Sequence, residues 1–224
     1  VTAHPEYPAL AVKYLAEITG IDFKNSDDLI AATSDCGSYV ALSSAVKSLA
    51  VKLTKVCNDL RLLASGPRTG LSELVLPQLQ PGSSIMPGKV NPVIPEVTNQ
   101  ASFLAIGLDT TVMLAASAGQ LELNVMEPVI TFALYMQMKV MTNACNALRE
   151  KCIDGIVVNA DRCKDLVMGS LGIVTLLKPH FGYKPCANVA REGFLTGKSL
   201  HQLVVEEKGM MTQEQWDKTF TYEN

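Results

Sequence analysis

Charge is scarce in this chain, and so are several residues that often mark a reactive site. Only 18% of its 224 residues are Asp, Glu, Lys or Arg, three are His and one is Trp, whereas 48% are hydrophobic. The formal net charge of -3 offers no basic face to a phosphate backbone, which argues against nucleic acid as a partner. An anionic small substrate would need cations placed locally. The six cysteines, Cys36, Cys57, Cys145, Cys152, Cys163 and Cys186, include no CxxC pair, and a chain of this size does not depend on disulfide staples. They read as reduced thiols of a cytoplasmic protein. Cys145 and Cys152 fall on one helical segment with Cα atoms about 10 Å apart, too far for an undistorted bridge, and read as packing residues. The histidines, His4, His180 and His201, make no ligand spacing with cysteines or acids, so neither a metal nor another cofactor is expected.

Long unbroken membrane spans are also missing. The stretch 97–118 is interrupted by Asp109, and 128–141 is shorter than the roughly 18 apolar residues that a span needs. Burial in an assembly is the better expectation, with no membrane partner. The chain opens on Val1 with no basic, then apolar, leader, so these letters hold no signal peptide.

What is present is helical periodicity. From 34 to 64 there is no proline, and Leu42, Val46, Leu49, Leu53, Val56, Leu60 and Leu63 step by fours and threes. Such an a/d seam predicts a helix about 45 Å long with one stripe against another long helix. Gly66 and Pro67 stop it. Two more long helices are predicted over 95–118 and 128–153, with Pro95 and Pro128 tolerated near the helix starts. The last carries apolar residues on nearly every face, as expected of a helix central to a bundle shared between subunits.

After residue 159 the segments shorten. Asn159 is placed to cap a helix over 160–168, Thr212 to cap a last helix holding Trp216, and "KPHFGYKP" reads as a turn marked by prolines and aromatics. No strand alternation of useful length and no repeat appears. The expected fold is all-α: a long-helix bundle domain over 1–159 and a small helical domain over 160–224.

One loop stands apart from this pattern. "PGSSIMPGKVNP", residues 81–92, packs two hydroxyls, a cation and an amide between apolar helices. It is not a P-loop, because five residues separate Gly82 from Gly88 and Val90 follows Lys89, where that motif has four and then Ser or Thr. Each residue alone has an ordinary explanation as a cap, a stiffener or a solvated charge. Together they make a grip suited to carboxylates, on a loop able to act as a lid.

"GSSIMPGKVNP" resembles the signature of the fumarase/aspartase superfamily, whose members break a C–N or C–O bond beta to a carboxylate. "VNPVIPEV", "LNVMEP" and the tail "LTGKSLHQLVVEEKGMMTQEQWD" are similar to the aspartase branch. Fumarases usually carry different residues at Val93, Pro95 and Glu127. The resemblance covers nearly the whole chain but only about half of a family member, its C-terminal half, without two earlier signature regions.

It implies reversible anti elimination of ammonium from L-aspartate to give fumarate, through an aci-carboxylate intermediate. It further implies a cytoplasmic homotetramer that builds each site from three subunits. By the same resemblance, Ser83 is the base for the Cβ proton and Ser84 helps hold the β-carboxylate. Lys89 and Asn91 bind the α-carboxylate, and Glu96 pairs with a histidine of a neighbouring subunit. For Glu96, an ordinary first-turn glutamate favoured by the helix dipole is an equal alternative. A class II fumarase, acting on fumarate and L-malate, and a non-catalytic helical assembly fragment remain the alternative readings.

Overall fold

The computed structural model of the protein describes residues 2–221. Its helices are α1 (Tyr7–Thr19), α2 (Leu29–Ser34), α3 (Gly37–Leu63), α4 (Val93–Ser117), α5 (Glu127–Lys151), α6 (Ala160–Met168), α7 (Val174–Phe181), α8 (Tyr183–Thr196) and α9 (Gln213–Phe220). The fold is helical as expected. The only strands among the described residues are β1 (Leu74–Val75) and β2 (Val157–Val158), an antiparallel ladder two residues long. Such a short ladder has no alternation to betray it in the sequence. The chain divides into two compact units, Val1–Arg61 with Pro77–Gly155, and Leu62–Leu76 with Ile156–Asn224.

In the first unit, α3 and α4 run antiparallel. Asn99 Nδ2 donates to Asn58 Oδ1 at 2.8 Å, and Ser43 Oγ donates to Asp109 Oδ1 at 2.8 Å. α5 packs back along α4, and its Gln137 sends Nε2 to the carbonyls of Ser43 and Ala105 at 3.2 and 3.0 Å. The turn between α4 and α5 is fastened by buried Asn124. Its Nδ2 donates to Ala115 O and Ala116 O, both at 3.1 Å, and its Oδ1 accepts from Met126 N at 2.8 Å. One carboxamide thus ties carbonyls at the end of α4 to an amide at the start of α5.

The a/d seam of α3 divides in a way the spacing did not foretell. Ser43, Ala50 and Cys57, seven apart, are the buried column together with Leu60, so the inward face of α3 is lined mostly by small side chains. Ala50 packs with Ala105 and Met141, flanked by Val46 and Leu53. Leu42, Leu49 and Val56 are 45%, 43% and 43% exposed, so that column is not the stripe facing a helix of this unit. On α5, Ile130, Ala133, Leu134 and Met141 are buried, whereas Phe132, Tyr135 and Met138 are exposed.

By length and composition alone α4 is apolar enough to cross a membrane. Its inner face nevertheless carries buried Thr98, Asn99, Ser102 and Asp109; side chains of α3 answer Asn99 and Asp109, and Thr98 Oγ1 donates to Ile94 O within α4. Burial holds the Cys57 thiol up at about 11, with the neighbouring Cys152 adding to the rise, so both sulfurs behave as packing groups.

The second unit centres on Ile173, Leu177, Val189, Leu200, Leu203 and Trp216. Asn159 accepts from Arg162 N at 3.4 Å and caps α6, while its Nδ2 donates to Ser72 O at 3.0 Å. Thr212 heads α9 in a reciprocal capping box with Gln215, as its position suggested. The "KPHFGYKP" segment, however, is not an extended turn. It is the end of α7 and the start of α8, separated only by Gly182 at φ 75°. Pro185 sits in the first turn of α8, where its missing N–H removes no helical hydrogen bond. A single glycine at positive φ therefore does what the prolines were expected to do.

Candidate active site

The loop over 81–92 is closed at its neck by backbone. Gly82 N–H donates to Lys89 O at 2.9 Å, and inside that closure Lys89 N–H donates to Met86 O at 3.2 Å. Gly88 takes φ 80° between them. A Cβ on Gly82 would lie 2.3 Å from Lys89 O and 2.7 Å from its carbonyl carbon, so the neck closes only because residue 82 has no side chain. Asn91 adds a second fastening, its Nδ2 donating to Gly82 O at 2.9 Å.

Within the loop, Ser83 Oγ accepts from Ile85 N and Met86 N at 3.2 and 3.3 Å. Two amide donors aimed at one hydroxyl oxygen favour negative charge on it. Ser83 and Lys89 line the same cavity of about 320 Å³, together with Gln78, Gln80, Pro81 and Gly82. Among the described residues Lys89 forms no ion pair. The cavity therefore combines an amide-supported hydroxyl, a free ammonium and two carboxamides, a set suited to a carboxylate-bearing molecule. Ile85, 85% exposed, and Met86 stand at the loop's outer end.

The other residues singled out from sequence are placed differently. Ser84 is exposed beside Ser83 and does not line the cavity. Asn91 is half-buried at the neck, with one amide hydrogen committed to Gly82. Glu96 lies in the first turn of α4, where a carboxylate is favoured by the helix dipole. Gln78 and Gln80 were not anticipated. Their only trace in the sequence is the polar alternation "QLQ" ahead of Pro81.

A sequence model of the Lyase family matches residues 1–107, and one described as Fumarase C C-terminus matches residues 173–224. An aspartate ammonia-lyase from Escherichia coli (strain K12) is 54% identical over 219 residues, covering 98% of this chain and 46% of that protein. A crystal structure of fumarate lyase:delta crystallin from Brucella melitensis bound to cobalt superposes with a TM-score of 0.90 at 40% identity, over 98% of this chain and 47% of that one. A recombinant class II fumarase from Schistosoma mansoni gives 0.86 at 31% identity, over 98% and 49%. The chain spans about half the length of the curated relatives it matches. With both family models and these relatives in agreement along it, the chain belongs to the fumarase/aspartase superfamily.

Proposed function

We propose that the protein carrying this chain is an aspartate ammonia-lyase that converts L-aspartate reversibly to fumarate and ammonium. The observation that carries the reading is the placement of Ser83, with two amide donors on its oxygen, in one cavity with the Lys89 ammonium. The hard step is loss of a weakly acidic Cβ proton. Ser83 Oγ takes that proton, and the electron pair left on Cβ spreads into the adjacent carboxylate as an aci-carboxylate dianion. The pair then forms the Cα–Cβ double bond while the Cα–N bond breaks and its electrons leave with the amine, anti to the departed proton.

A serine is a poor base unless its alkoxide is favoured. The Ile85 and Met86 amides supply part of that support, and a nearby cation in a site closed to water supplies more. Lys89 holds the α-carboxylate by charge, and Asn91 reaches it with the amide hydrogen that Gly82 does not use. Ser84 assists at the β-carboxylate once the loop closes as a lid. Donors aimed at the developing charge each contribute about 3 to 4 kcal/mol in comparable sites.

Glu96, in this reading, orients a histidine of a neighbouring subunit in a cytoplasmic homotetramer whose sites are shared between chains. The exposed apolar columns on α3 and α5 are surface such an assembly would cover. The greater identity to an aspartate ammonia-lyase, 54% against 31% for a class II fumarase, favours aspartate over malate. Following fumarate absorbance with each substrate tests this on the full-length protein. Turnover of L-aspartate is expected. Turnover of L-malate alone would make it a fumarase, and inertness to both would leave a helical assembly module.

A further inference from the structure

The second unit contains an open cleft of about 540 Å³, a volume typical of small-molecule sites, and the elimination chemistry above does not use it. Its polar wall is one face of α9. Gln215, Lys218 and Thr219 stand at i, i+3 and i+4, which brings their side chains together. His180 and Phe181 complete the wall from the end of α7, and Met210 and Met211 contribute from the segment before α9.

The polar chemistry is one-sided. No carboxylate lines the cleft. Gln215 spends its Oε1 on Thr212 N–H at 2.9 Å, which leaves its amide nitrogen as the free end of the side chain. Thr219 Oγ1 donates to Gln215 O at 2.8 Å and lies 3.5 Å from His180 Nε2, a loose contact that a ligand oxygen can replace. Lys218 forms no ion pair among the described residues. The rest of the lining is apolar and anchored, since Phe181 and Met210 pack on the core of the unit and Met211 is part of it.

We propose that this cleft binds a monocarboxylate borne on a ring-sized apolar body. Lys218 and the Gln215 amide hold the carboxylate, and Phe181 and Met210 receive the body. A cation is repelled by Lys218. A second carboxylate set against the phenyl and thioether groups would find no partner there, so the apolar part of the cleft favours an uncharged body.

Calorimetric titration of the protein with 3-phenylpropionate tests the assignment, with 3-phenylpropan-1-ol and acetate as the uncharged and bodiless controls. Saturable binding is expected, with both controls at least about tenfold weaker. Lys218→Met should weaken 3-phenylpropionate at least about tenfold. Gln215→Glu should do the same while preserving the fold, because glutamate serves equally at that position of a capping box; unchanged far-UV circular dichroism would verify it. Equal binding of the alcohol, equal binding of acetate, affinity unchanged in both variants, or no saturable heat up to about 10 mM would each overturn the proposal.

Discussion

Lys47 and Asp109, 62 residues apart in the chain, meet inside the bundle of the first unit with Nζ 2.5 Å from Oδ2. Ser43 Oγ at 2.8 Å and Ser44 Oγ at 3.4 Å donate to the other carboxylate oxygen. Burial pushes the Asp109 carboxyl upward, but hydrogen bonds from Lys47 and Ser43 and the lysine's charge outweigh it, so it sits below the ordinary carboxylate range. The pair joins α3 to the inner face of α4, the helix whose composition alone would suit a bilayer.

The two halves of this pair are expected to differ when removed. Lys47→Met strands a buried carboxylate and should cost about 3 kcal/mol in urea unfolding, at the low end for broken buried pairs. Asp109→Asn leaves Lys47, whose side chain is 39% exposed, free to turn to solvent, and should cost about 1 to 2 kcal/mol. Because the folded-state value is depressed, the stabilisation is present above the unfolded value near 4 and is lost as pH falls through the folded one. The gap between wild type and Asp109→Asn should therefore close in acid, and a gap constant from pH 7 to 3 would remove the pair from the stability of the bundle.

Gly82→Ala tests the neck of the loop. The added methyl collides with backbone of Lys89, which cannot swing aside as a side chain tip could, so the Gly82 N–H to Lys89 O hydrogen bond must open. Amide hydrogen exchange at position 82 is expected to accelerate by about tenfold or more. Turnover should fall with it, because Ser83 and Lys89 lose their common cavity. Exchange unchanged from wild type would mean that the neck tolerates a side chain.

The long helices were legible because their signals are local. α4 and α5 begin and end within two residues of the positions that periodicity and proline placement suggested, and Asn159 and Thr212 cap the helices they precede. What escaped depends on neighbours. Leu42 and Val46 belong to one apolar seam in sequence, yet only the packing of α4 and α5 decides which turns inward. Gly182 carries a turn between two helices that proline counting spread over eight residues. In the loop, letters marked Ser83 and Lys89, but the amides of Ile85 and Met86 that act on Ser83 are backbone groups, which no residue type announces.

Lys89→Ala separates binding from chemistry. If the ammonium holds a carboxylate present in both substrate and transition state, its loss removes uniform binding, and KM should rise at least about tenfold with a smaller change in kcat. Helix content should be unaffected, since Lys89 is exposed and forms no ion pair among the described residues. An unchanged KM for L-aspartate would withdraw Lys89 from the substrate.

Ser83→Ala asks whether the hydroxyl reacts or merely shapes its loop, since Oγ also accepts the Ile85 and Met86 amides. A base acts only as the proton leaves, so its loss should lower kcat by about a thousandfold or more while leaving KM and assembly nearly unchanged. A purely structural serine would instead loosen the neck, and that is separately measurable. Hydrogen exchange at the Gly82 amide, which Ser83 does not hold, should stay at the wild-type rate in Ser83→Ala and rise only in Gly82→Ala. A large fall in kcat with a quiet neck assigns the proton transfer to Ser83. A retained kcat, or a fall matched by an equally opened neck, leaves that role to another group and reduces Ser83 to a turn residue.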